Sequence, residues 1–207
     1  MSIYASAGDS KKFPVHPEGP VAARCTRIID LGTQAGEYQG KPKVARKVLF
    51  VWESSEVNGD DAGEYAGKPL LITNRYTLSL GDKAALRKVL EGWRGRKFTK
   101  EELDRFDIKA VLGKPCLITI VHNNDGDKTY ANISTLSQLP KQMTAPAAVG
   151  ELLLLSLDPE YFDQEVFDKL SDNLKETIAK SPEYQAIKGG KPQTKSGPAI
   201  DDDDIPF

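Results

Sequence analysis

Cysteine, histidine and long apolar runs are scarce in this 207-residue chain, which has two cysteines and two histidines. Each scarcity excludes something. Cys25 and Cys116 cannot build a disulfide framework, and neither has a CxxC partner. They read as small buried side chains in a reducing compartment, which points to the cytoplasm. His16 and His122 alone rule out a histidine-rich metal site. The longest apolar run, Val48-Leu49-Phe50-Val51-Trp52, is far short of the roughly 20 residues that cross a membrane. Met1 to Pro20 lacks the apolar core of a secretory signal.

Catalytic motifs are missing too. There is no GxGxxG, GxxxxGKS/T, HExxH or GxSxG. Cys116 and His122 share a strand but stand too far apart to form a dyad. Asp60-Asp61 and Asp125/Asp127 lie in turn sequences, and Asp125-Gly126-Asp127 lacks calcium-loop spacing. The chain is expected to be no enzyme and to hold no cofactor or metal, with a carboxylate-only, metal-dependent nuclease as the rival from another class.

What is present is a charge asymmetry. Residues 1–143 carry 22 Lys and Arg against 17 Asp and Glu, whereas residues 144–207 carry 6 against 13. A basic body with an acidic end suits a polyanion binder whose tail competes for the same surface. Two solvated regions of unlike charge is the plainer alternative.

Along the chain, residues 1–19 read as a mobile lead-in. Three β-rich stretches follow: Val21 to Leu31, Lys43 to Glu53 and Leu70 to Leu80, joined by Gly-rich loops at 32–42 and 54–69. The period then becomes helical. Asp82 is the expected N-cap, with Ala85, Leu86, Val89, Leu90 and Trp93 as the apolar stripe. Thr99-Lys100-Glu101-Glu102 is a capping box for a short helix through Phe106. Pro115 to His122 and Lys128 to Leu136 flank a turn containing Asp125-Gly126, a hairpin signal. Five strands with a helix between the third and fourth is the chain order of the OB-fold barrel, with an open α+β sheet as the alternative.

The segment Ala35-Gly36-Glu37-Tyr38-Gln39-Gly40-Lys41-Pro42 recurs as Ala62-Gly63-Glu64-Tyr65-Ala66-Gly67-Lys68-Pro69, and Gly113-Lys114-Pro115 repeats its ending. Each copy precedes a strand. It reads either as a strand-initiating turn or as paired loops presenting Tyr and Lys to a ligand. After Pro140, Asp158-Pro159-Glu160 is the expected start of a helical region running to about Lys180. Its stripe of Phe162, Val166, Leu170, Leu174 and Ile178, with Phe167 beside it, needs a surface to lie on. The expected organisation is a lead-in (1–19), an OB-fold domain (20–143), a helical extension (144–188), and a flexible linker with a disordered acidic tail (189–207).

Single strands are bound by a basic groove with aromatic platforms. The candidate binding residues are Lys41, Lys43, Arg46, Lys47 and Arg75 for the phosphates, with Lys128 beside Tyr130. Trp52, Tyr130 and Tyr38 are the stacking candidates. Both faces of the second strand are apolar near its end, so its inward face is unassigned. Trp52 is therefore either platform or core.

The final Asp201-Asp202-Asp203-Asp204-Ile205-Pro206-Phe207 resembles the C-terminal tip of bacterial single-stranded DNA-binding proteins. Phe207 offers an apolar anchor with a terminal carboxylate, and the aspartates suit a basic rim. Arg75-Tyr76-Thr77-Leu78-Ser79-Leu80, Trp93-Arg94-Gly95-Arg96 and Phe162-Asp163-Gln164-Glu165-Val166-Phe167 through Ser181-Pro182-Glu183-Tyr184 carry a further resemblance, to a phage family of single-stranded DNA-binding proteins, over roughly residues 20–190. That resemblance implies an OB-fold core and sequence-tolerant ssDNA binding in phage replication, recombination or repair in the host cytoplasm. By the resemblance of its tip, residues 201–207 recruit partner proteins. An RNA-binding or general nucleic-acid module is the first alternative, and a virion assembly protein the last. The oligomeric state is not legible.

Overall fold

The computed structural model describes residues 14–38, 40–126 and 128–189. The acidic tip, residues 201–207, lies outside them. The protein is mainly β. Six strands form one sheet: β1 (Gly19–Tyr38), β2 (Lys41–Val57), β3 (Pro69–Thr77), β4 (Pro115–Asp125), β5 (Lys128–Ser137) and the short β6 (Leu153–Leu155). The order is β3-β2-β1-β4-β5, antiparallel throughout, with β6 added parallel to β1. Helices α1 (Ala85–Arg94) and α2 (Lys100–Asp104) lie between β3 and β4, as the helical period requires. Helices α3 (Gln164–Asp168), α4 (Asp172–Ala179) and α5 (Pro182–Gly189) follow β6. No helix among the described residues is long and apolar enough to cross a membrane.

The expected closed barrel is not what the sheet shows. Among the described residues β3 and β5 are edges with no ladder between them, so the sheet is open. Helix α1 packs against both of these edge strands. Leu86, Leu90 and Trp93 are its buried positions.

Strand β1 is the pivot. Straight, its 20 residues would run about 66 Å. Two register shifts, between Cys25 and Arg27 and between Asp30 and Gly32, bend it and exchange its faces. Val21, Ala23, Cys25 and Ile28 therefore face one core, with Val48, Phe50, Trp52, Ile72, Tyr76, Trp93, Ile118 and Leu136. Ile29 and Leu31 face a second core with Leu49, Val51, Leu155, Leu157, Phe167, Leu170, Ile178 and Tyr184. This resolves the ambiguity of the second strand: both faces of β2 are apolar because both are covered. Both cysteines sit in the first core, where burial pushes their thiols up, Cys25 to about 12.

The C-terminal helices thus lie on the sheet's own second face, and carboxylates on β1 and β2 tie down the segment that leads to them. Glu53 accepts from Val149 N at 2.8 Å and Gly150 N at 3.2 Å. Asp30 accepts from Leu157 N at 3.3 Å. In return Glu183 of α5 accepts from Thr33 N at 2.8 Å and Thr33 Oγ1 at 2.5 Å. Arg24 donates to the carbonyls of Pro146 and Gly113, at 2.7 and 2.6 Å.

Several local expectations are corrected. Asp82 does not cap α1: Ala84 holds that position without a side-chain bond, and Asp82 pairs with Arg87. Asp158 starts a turn rather than a helix, accepting from Glu160 N at 3.1 Å, and Asp163 caps α3 instead. The helical region expected to run to about Lys180 is interrupted at Ser171, and a further helix, α5, continues beyond Ser181 to Gly189. The segment 32–42 is no loop: β1 and β2 stay paired to Tyr38 opposite Lys41. Residues 14–18 of the lead-in are tied down. His16 Nε2 bonds Ser54 Oγ at 3.1 Å, His122 Nε2 donates to the His16 carbonyl at 2.7 Å, and His122 N donates to Glu18 Oε1 at 2.6 Å.

Gly32 is where the two halves meet most tightly. Its φ is +67°, and a Cβ there would lie 2.4 Å from Ser181 Cβ. Gly40 has a similar φ of +74° with nothing within 4 Å. Gly40→Ala should therefore cost only the left-handed penalty of about 1–2 kcal/mol. Gly32→Ala should cost clearly more and raise amide exchange across residues 153–189. Denaturant unfolding and hydrogen exchange of the two variants check this; equal losses would show that the Ser181 contact is slack.

Candidate nucleic-acid interface

Two hairpins carry exposed basic and aromatic side chains beyond the cores. The β1–β2 hairpin presents an exposed Lys41 and a partly buried Lys43, with Val44 65% exposed. Tyr38 ends β1 opposite Lys41; its side chain falls outside the described residues. The β4–β5 hairpin presents Lys128, opposite Asp125, and Tyr130, opposite Asn123 and 48% exposed. A register shift between Thr119 and Ile120 lets both Ile133 and Leu136 turn toward the core. Ala131 is exposed, because the hairpin has already left the core at that point.

The remaining candidates divide. Arg75 is exposed on β3, opposite Leu49. Lys47 donates to Thr77 Oγ1 at 2.7 Å, so it is part of the β2–β3 seam. Arg46 is engaged by the fold: it pairs with Asp30, whose hydrogen bond raises the Arg46 pKa, and the fields of Asp30, Glu183 and Asp158 add to this. A guanidinium held by Asp30 within the fold is less available to a phosphate.

Trp52 is corrected outright as a stacking platform. It is 0% exposed, stacks on Phe50 at 5.5 Å between ring centroids and tilts against Trp93 at 6.1 Å. No base reaches it. Tyr76 is likewise in the core, edge-on to Phe50, and Trp93 anchors α1 with its Nε1 donating to the Pro115 carbonyl at 2.8 Å.

The repeated Gly-Lys-Pro turn has a common physical basis. Gly40, Gly67 and Gly113 all take φ between 70° and 74°, and Pro42, Pro69 and Pro115 lie at the first or second residue of β2, β3 and β4. The second copy also exposes a residue missed as a site candidate. Tyr65, 42% exposed, lies on the 3-10 stretch Asp60–Tyr65 with Lys68 Nζ 5.3 Å from its ring centroid. The echo itself was the signal that pointed to it.

A further basic feature surrounds α2. Glu102 completes the capping box with Thr99 and accepts from both Arg94 and Arg96. The Arg96 bonds, the Thr99 backbone N–H and Arg94, in that order, hold its carboxyl down to about 2.

Comparison of the chain with protein-family models and with characterised proteins finds no match.

Two outcomes are expected. Trp52→Ala should cost about 3–5 kcal/mol of stability, as large buried aromatics do, and thermal melts will show this as early unfolding with no change in the hairpin surfaces. Because Glu102 is depressed from an ordinary 4.5 to about 2, its contribution is complete above 4.5 and is lost as pH falls through about 2. The stability difference between the parent and Glu102→Gln should therefore shrink over that window in an acid titration; a constant difference would remove the ion pairs as its source.

Proposed function

We propose that this protein binds single-stranded DNA without sequence preference and protects it in the host cytoplasm during phage replication, recombination or repair. The observation that carries the reading is the pair of hairpins, β1–β2 and β4–β5, that leave the cores bearing exposed Lys41, Lys128 and Tyr130 and a partly buried Lys43. A backbone-tracking array of cations with an amphipathic ring to stack on is what a single strand requires. The arrangement also supports reading the sheet as an open OB barrel. One coiled β1 is shared by β2 and β4, and α1 spans the gap between β3 and β5. OB folds bind oligonucleotides on the face of strands 2 and 3 and on the loops after strands 1 and 4. Arg75 adds an exposed cation on β3, while the Tyr65–Lys68 pair lies in the β2–β3 connection, at the other end of β2 from Lys41. Residues 201–207 recruit replication and recombination proteins through their charge and their Phe207 anchor.

Titrating ssDNA, dsDNA and RNA of one length at two salt concentrations tests this. The tightest binding is expected for ssDNA. Tyr130→Ala should cost about 1–3 kcal/mol of affinity. Lys41→Ala and Lys128→Ala should each lower the log–log salt slope by about one at most, whereas Arg46→Ala should reduce stability and leave the slope unchanged. Tighter binding to RNA would favour the RNA-binding alternative; no binding to any of the three at low salt would overturn the proposal.

A further inference from the structure

The body's excess of positive charge lies mostly outside the two hairpins. The connection between β3 and β4, residues 78–114, carries 10 Lys and Arg against 6 Asp and Glu. The rest of residues 1–143 carries 12 against 11 and is nearly neutral. Within the connection, Asp82 and Glu91 pair with Arg87, and Glu102 pairs with Arg94 and Arg96. Lys97, Lys100, Arg105, Lys109 and Lys114 are all exposed and in no ion pair among the described residues.

These cations belong to one unit built around Arg94. Its guanidinium lies over the rings of Phe98 and Phe106, at 4.4 and 5.0 Å, and the two rings meet edge-on at 4.9 Å. It also pairs with Glu102, the third residue of α2. Lys97 and Arg105 each adjoin one of those rings in sequence, and Lys100 opens α2. Lys114 lines an open cleft with Arg94, Glu102, Phe106 and Ala110, and Lys109 precedes Ala110. Like charges gathered in this way repel one another, and a polyanion relieves that repulsion.

None of the connection's aromatic residues is exposed. Trp93 and Phe98 are buried, and Phe106 is partly so. Stacking a base requires a ring in solvent. Cations without one contact phosphate oxygens and read no sequence. Among nucleic acids the duplex is the denser polyanion, with one charge per about 1.7 Å of axis. Each phosphate contact contributes about 0.9 to its salt slope, against about 0.7 for a single strand. The surface therefore fits a duplex backbone.

The unit is set apart from the hairpin tips. It enters β4 at Pro115, and Asp125, at the hairpin end of β4, is about 34 Å away along an extended strand. Arg24, opposite Pro115, and Tyr38, at the β1–β2 tip, are separated by about 46 Å of bent strand. We propose that the β3–β4 connection is a second nucleic-acid surface, which takes the phosphate backbone of a duplex through Lys97, Lys100, Arg105, Lys109 and Lys114. Combined with single-strand binding on the hairpins, it makes the junction between duplex and single strand the preferred substrate. That consequence rests on the proposed function; the duplex surface itself does not.

The test titrates the full chain with a blunt DNA duplex of about 20 base pairs, at about 50 and about 200 mM salt. The duplex has no single-stranded part, so its outcome is independent of whether the hairpins bind ssDNA. Binding is expected at the lower salt. Lys97→Gln, Lys100→Gln and Lys109→Gln combined should weaken it by about tenfold or more and lower the log–log slope by up to about 2.7. Thermal melts of this variant should match the parent, because all three side chains are exposed. Lys114→Gln alone should lower the slope by up to about 0.9. The hairpin set, Lys41→Ala with Lys128→Ala and Tyr130→Ala, should leave duplex affinity unchanged. Absence of duplex binding at the lower salt would overturn the inference, as would its loss in the hairpin set with retention in the connection set. Equal weakening of ssDNA and duplex by the connection set would also overturn it, by making these cations part of one groove with the hairpins.

Discussion

Strand β1 must satisfy neighbours on both edges and cores on both faces, and most of the fold follows from how it does so. Along its first part it pairs with β2 and β4, and further on with β2 and β6. A strand in that position cannot be regular. Its two bulges exchange inward and outward residues in mid-strand, which lets Cys25 and Ile28 serve one core and Ile29 and Leu31 the other. The sheet is thereby wrapped without being closed, and helices rather than hydrogen bonds finish the enclosure on each side.

Burying the second face brings backbone groups from an irregular segment against a sheet, where each needs a partner. The fold meets this with carboxylates. Glu53, Asp30 and Glu183 together accept from backbone N–H groups of residues 33, 149, 150 and 157. Glu53 and Asp30 are themselves buried, a position that acidic side chains tolerate only when so engaged. Arg46 belongs to this same network. That is why a residue that reads as part of a basic binding strand is instead a structural counter-ion.

The sequence was most legible where local rules acted alone. The β-β-β-α-β-β order, the capping box at Thr99 and Glu102 and the strand-initiating Gly-Lys-Pro turns were all readable, since each depends on residues within a few positions. What escaped depended on distant partners. The faces of β2 were ambiguous because Leu49 and Val51 are covered by helices more than 100 residues away. Trp52 and Arg46 looked available because nothing local shows that Trp93 and Asp30 close over them. Strand β6 was missed because three residues of Leu carry no period. Asp158 and Asp82 have good capping chemistry, but Asp158 caps only a turn, at Glu160, and Asp82 is paired with Arg87.

The two cysteines have a practical corollary. Cys25 and Cys116 are both 0% exposed, and their thiols are held protonated well above neutral pH. Thiol-directed reagents act on the thiolate, so neither buried sulfhydryl is expected to react with maleimides while the protein is folded. A single cysteine introduced on an exposed position such as Thr129 would be modified alone. Fluorophores or spin labels can therefore be attached to either hairpin of the native chain without first replacing core residues.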